Sequence, residues 1–90
     1  MDIIREYCKP KTIGALPVCV VRTKTHANSL AHFDELFTVA QSDFPDLRRE
    51  DCEVVHYGGQ RYRGTYGIEF FRSGKIPDSY QKIEHLEYRL

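Results

Sequence analysis

The segment from Asn28 to Pro45 constrains the fold most. Leu30, Phe33, Leu36, Phe37 and Ala40 recur at helical spacing, with Asp34, Glu35 and Gln41 on the other side of the same turn pattern. Asn28 or Ser29 suits the start, because a short polar side chain accepts hydrogen bonds from the first free backbone N–H groups. Acidic residues in the early turns match the positive end of the helix dipole. Phe44-Pro45 stops the helix, since the residue before a proline is pushed out of the α region. An amphipathic helix from about Asn28 to Gln41 must cover an apolar surface, and Phe33 and Phe37 are then core residues. Ninety residues supply one such surface, so a single compact domain over 1–90 is expected.

Strands are the natural source of that surface. LPVCVVRT, Leu16 to Thr23, is rich in β-branched residues and opens with a proline at a place where a strand can begin. It reads as a strand buried on both faces. Ahead of it, MDIIREY fits either a short helix or a strand, and KPKTIG, with Pro10 and Gly14, separates it from the apolar strand. Behind the helix, Cys52 to Tyr62 and Thr65 to Arg72 read as two antiparallel strands. Their turn has two candidates. A Gly58-Gly59 turn sets Val55 opposite Tyr62 and leaves Ile68 to Phe71 without a partner from the Val54-Val55 side. An Arg63-Gly64 turn sets Tyr57 opposite Phe70 and His56 opposite Phe71, and is preferred because it pairs the whole apolar segment. At the end, PDSYQKI and the alternating HLEYRL predict a turn followed by a terminal strand, with a C-terminal helix as the alternative. The expected order is β-α-β-β-β, a small α+β domain with one helix packed on one face of an antiparallel sheet.

Composition removes several function classes. A hydrophobic fraction of 41% with 29% charged residues is globular, not disordered. Three cysteines, Cys8, Cys19 and Cys52, are an odd set without a C-x-x-C pair, which points away from a disulfide framework or zinc ribbon and toward a reducing, cytoplasmic setting. The longest apolar run, Ile13 to Val21, is too short for a bilayer-spanning helix and carries Pro17; no membrane role is expected. The adjoining Arg22-Thr23-Lys24 also lacks the small residues of a signal-peptide cleavage site.

The charge is zero in total but uneven. Residues 1–30 hold five basic side chains against two acidic, residues 31–53 two against seven, and residues 54–75 four against one. Local fields of this kind steer encounters more than net charge does.

The chemistry-bearing candidates thin out on inspection. Ser29, His32 and Asp34 imitate a catalytic triad, but Asp34 is only two residues beyond His32 and points elsewhere on a helix. Cys52 and His56 would lie about 13 Å apart along a strand, too far for a thiolate–imidazolium pair. Gly67 to Lys75 has the wrong spacing for a P-loop, and the Gly64-Thr65-Tyr66-Gly67 match lies between strands where a phosphate clamp needs helix N-termini. His26, His32, His56, His85 and the cysteines show no metal-ligand spacing, so neither a metal nor a cofactor is expected. The acidic segment DFPDLRREDCE, Asp43 to Glu53, reads either as a partner-binding loop or as a solvated connection.

What remains is HYGGQRYRGTYG. Tyr57, Arg61, Tyr62, Arg63 and Tyr66 are residue types enriched where proteins bind proteins. They form the candidate partner-binding site of a non-enzymatic interaction module, a small regulator or inhibitor. The same side chains supply stacking faces and phosphate-binding charge, so the alternative is weak binding of single-stranded nucleic acid. The pI near 6.9 lacks the basic footprint of a dedicated nucleic-acid domain, which places the protein partner first. A second copy of the chain, giving a homodimer, is a further candidate partner.

Overall fold

A computed structural model describes residues 3–14, 16–25, 32–57 and 65–84, with the backbone alone at 10–13, 16–17, 56–57 and 65–66. Strands β1 (Ile4–Ile13) and β2 (Leu16–Thr25) precede helix α1 (Phe33–Asp43) and a single 3₁₀ turn, Arg49–Asp51. Strands β3 (Glu53–Tyr57), β4 (Thr65–Arg72) and the two-residue β5 (Gln81–Lys82) come after it. The five strands form one sheet in the order β3-β4-β2-β1-β5, antiparallel except for β1 beside β5. The small α+β fold expected from the sequence is therefore present, with one more strand and one parallel pair.

The extra strand is β1, and Pro10 does not end it. The β1–β2 register passes from Cys8 opposite Val20 to Lys11 opposite Val18, so Lys9 and Pro10 together face Cys19. That is a β-bulge, and it gives a residue without a backbone N–H a place outside the regular ladder. Ile13 pairs with Leu16, and Gly14, at φ +63°, begins the two-residue connection between them. The strand-breaking signals thus mark a bulge and a hairpin turn.

As expected, β2 is buried on both faces: Cys19, Val20 and Val21 are each at most 2% exposed. Cys19 and Val21 join Ile68 and Phe70 of β4 beneath Leu36, Phe37 and Ala40 of α1, with Phe44, Leu47, Ile76 and Tyr80 closing the rim. On the opposite face Cys8 and Val20 pack together, with Ile83 against them. Described α1 starts at Phe33 with His32 at its N-cap, while Asn28 and Ser29 lie outside the described residues. It ends where expected. Phe44, before Pro45, turns to φ −131° and ψ 85°, and its N–H still donates to the Ala40 carbonyl at 2.8 Å. Its ring meets Phe70 edge-on at 5.3 Å and lies 5.6 Å from Tyr80.

The β3–β4 register corrects the pairings expected from both turn candidates. Tyr57 pairs with Thr65, His56 with Tyr66, Val55 with Gly67, Val54 with Ile68 and Glu53 with Glu69. Tyr57 does not face Phe70, and Val55 does not face Tyr62. Both turn candidates, Gly58-Gly59 and Arg63-Gly64, fall within 58–64, outside the described residues. The reason is on the other side of β4: Phe70 pairs with Val21 and Phe71 with Val20. The apolar segment gains its partner from β2, so β3 need not extend to meet it. At the C-terminal side, a turn over 78–80 leads to β5; the segment HLEYRL lies outside the described residues.

No helix among the described residues is long and apolar enough to cross a membrane.

Candidate functional site

Of the five expected binding residues, Tyr57 and Tyr66 are placed by backbone register on neighbouring rungs of the β3–β4 ladder, Tyr57 opposite Thr65 and Tyr66 opposite His56. Arg61, Tyr62 and Arg63 lie outside the described residues. β3 is the outermost strand of the sheet, and among the described residues no strand pairs with its outer side.

The same ribbon carries both large apolar side chains that the described surface leaves exposed, Val54 at 43% and Phe71 at 54%. Phe71 borders a cleft of about 80 Å³ lined by Val20, Asp51, Glu53, Glu69 and Phe70 as well. Three of those six residues are acidic. Glu53 stands directly opposite Glu69, a like-charge cross-strand pair that costs stability unless neutralised.

Neutralisation of Glu69 comes from β2. Arg22 is 3% exposed and directly opposite Glu69, and its Nε donates to Glu69 Oε1 at 2.9 Å while Nη2 donates to the same oxygen. On its other side Arg22 Nη1 lies 3.6 Å from Glu6 Oε1, which also receives Lys24 Nζ at 3.0 Å. Burial pushes the Glu69 carboxyl above the ordinary glutamate range, while the Arg22 hydrogen bonds pull it back down. Sequence reading did not single out this network. Its signal was a charged residue inside each apolar run: Arg22 after VCVV, and Glu69 within IEFF.

The acidic segment from Asp43 to Glu53 is largely an ion-paired connection. Asp43 Oδ2 accepts hydrogen bonds from Arg5 Nε and the Tyr80 hydroxyl, each at 2.8 Å. Both donors offset the unfavourable placement of a carboxylate at the last residue of α1. Asp46 takes both terminal nitrogens of Arg72 at 3.0 Å, and this holds its carboxyl below the usual range. Arg72 also lies 4.8 Å from the Phe44 ring centroid. Arg49 pairs with Asp34 and covers the stacked Phe33 and Phe37 rings at 5.3 and 5.0 Å. Arg48 lies 3.2 Å from Glu50. Glu53 has no ion-pair partner among the described residues.

The imitation triad is not assembled. Asp34 pairs with Arg49, and His32 Nδ1 lies 3.6 Å from Glu35 instead. Burial and the neighbouring Asp51 push the Cys52 thiol up to about 11, and its Sγ approaches the Arg48 carbonyl at 3.6 Å. A thiol held protonated is a poor nucleophile. Among the described residues no three His, Cys, Asp or Glu side chains are grouped to hold a metal ion.

No family model matches this chain, and neither does any curated protein or solved structure.

Proposed function

We propose that the chain is a non-enzymatic protein-interaction module, a small regulator or inhibitor, that docks a protein partner on the β3–β4 ribbon through Tyr57, Arg61, Tyr62, Arg63 and Tyr66. The observation that carries this reading is the position of Val54 and Phe71, both exposed and both on the ribbon that bears the tyrosine-arginine segment. Val54 stands opposite Ile68 on the α1 face of the ribbon, and Phe71 lies on the other face with Glu69, beyond the last β3–β4 pair. Exposed apolar side chains, tyrosine and arginine are the residue types of interface centres. An outermost strand whose outer side pairs with no strand among the described residues adds the backbone groups that strand addition uses.

The acidic flank weighs against the nucleic-acid alternative. Asp51 and Glu53 next to Phe71 repel phosphate, whereas they complement a basic protein surface. A cytoplasmic setting suits three cysteines that are all free thiols.

The test is an Arg61→Ala/Tyr62→Ala double variant, with its fold checked by far-UV circular dichroism. Capture of a protein partner by the parent chain should withstand nuclease and moderate salt, and the variant should lose it. Binding to single strands that weakens linearly with log salt, at a slope of about −0.7 per phosphate neutralised, would favour nucleic acid instead. An unfolded variant would make these residues structural.

A further inference from the structure

We infer that the cleft beside Phe71 receives an arginine side chain from the protein partner. This rests on the reading of the β3–β4 ribbon as a docking surface and gives that partner a chemical character.

Three features of the cleft point to this occupant. First, its volume of about 80 Å³ is small. Pockets for whole small molecules run to about 300–1,000 Å³, so this one holds the head of a side chain. Second, its polar wall is acidic throughout, from Asp51, Glu53 and Glu69. Glu69 is already satisfied by Arg22, and Asp51 lies 3.5 Å from Arg48, but Glu53 is exposed with no ion-pair partner among the described residues. A cation arriving at Glu53 also relieves its opposition to Glu69 across the ladder. Third, the apolar wall includes an aromatic ring, Phe71, 54% exposed.

A carboxylate next to an open aromatic face suits guanidinium better than ammonium, because the planar fork stacks on the ring while its edge donates to the carboxylate. A metal ion fits less well, since these acids are not grouped as ligands. The chain itself uses the same pairing twice: Arg49 lies over Phe33 and Phe37 with Asp34 at its edge, and Arg72 lies over Phe44 with Asp46 at its edge. Phe71 and Glu53 present the acceptor half of that arrangement.

The experiment titrates the full chain, labelled with ¹⁵N, with a capped Gly-Val-Arg-Val-Gly peptide, and separately with the same peptide carrying neutral citrulline in place of arginine. The arginine peptide should shift the amide signals of Glu53, Glu69 and Phe71 saturably. Affinity should fall at least about tenfold with citrulline, with Glu53→Gln and with Phe71→Ala, and should weaken as salt is raised. Glu53 and Phe71 are exposed, and an unchanged dispersion of the remaining signals verifies that each variant is folded. Equal binding of the citrulline peptide, or full binding by Glu53→Gln, overturns the assignment. So does the appearance of the same shifts with protein concentration alone, which would make a second copy the occupant, or with calcium chloride alone. Peptide failure overturns the cleft assignment whatever the hairpin variant does, whereas the Arg61→Ala/Tyr62→Ala result bears on the ribbon reading only.

Discussion

Arg22 and Glu69 face each other directly across the β2–β4 ladder, both almost fully buried. A buried pair of this kind adds little over an apolar substitute, but each half depends on the other, since removing one leaves an uncompensated charge in the interior. Arg22→Met alone should lose about 3–5 kcal/mol of unfolding free energy, and Glu69→Leu less, because Arg22 keeps Glu6 at 3.6 Å. The double variant should lose much less than the sum. Urea denaturation of the three variants measures this, and additive losses would show that the pair is not coupled.

The same glutamate gives an unusual pH response. Its folded-state pKa is raised, with burial the largest cause, so the folded chain holds this proton more tightly than the unfolded chain does. Its contribution is fully present below the unfolded value, about 4.3, and is lost as pH rises through the folded value above it. Asp46, whose pKa is lowered by Arg72, acts in the opposite sense: its contribution is present above its unfolded value and is lost as pH falls through the folded one. Glu69→Gln should therefore remove a stability term that declines with rising pH. The difference between parent and variant unfolding free energies, measured from pH 3 to pH 8, should change with that sign.

Phe37 is 7% exposed and sits beneath Arg49 with its ring stacked on Phe33. Phe37→Ala should cost about 3–5 kcal/mol, from lost transfer energy and the cavity left behind. A loss below about 1 kcal/mol in chemical denaturation would mean that the helix does not depend on this face.

Gly67 lies in the middle of β4 with Val55 on one side and Lys24 on the other. A Cβ added there would come within 2.9 Å of Lys24 Cβ and 3.2 Å of the Thr23 carbonyl oxygen. Gly67→Ala must push β2 and β4 apart and should lower stability by about 1–3 kcal/mol, despite the usual gain from replacing a strand glycine. Thermal unfolding and amide exchange across the Thr23–Ile68 rung would report it.

Local signals carried the helix, its Phe44-Pro45 stop and the apolar β2, because periodicity and proline sterics act within a few residues. Non-local ones were hidden. Nothing in IEFF says whether its partner is Val54-Val55 or Val20-Val21, and choosing the wrong neighbour moved the hairpin register five residues along β4. β1 was obscured because Arg5, Glu6, Lys9 and Lys11 interrupt its alternation, and the pairing of Arg5 with Asp43 and of Glu6 with Arg22 and Lys24 exists only once remote segments meet. For the candidate site, composition pointed to the tyrosine-arginine segment; the exposure of Phe71 and the lack of an ion-pair partner for Glu53 among the described residues needed the sheet order to become visible.

The central place of β2 sets the order of events as the chain is made. Its hairpin with β1 closes locally, but its other edge, with Val20 and Val21, waits for Phe70 and Phe71, some fifty residues later in synthesis. Until then an apolar strand with unsatisfied backbone groups is on offer to any other nascent chain. Long-range pairings of this kind slow folding, because the loop-closure entropy is lost before the contacts form. Folding yield should therefore be governed by how quickly β4 reaches β2, and crowding by sister chains should harm this protein most before Arg72 is translated.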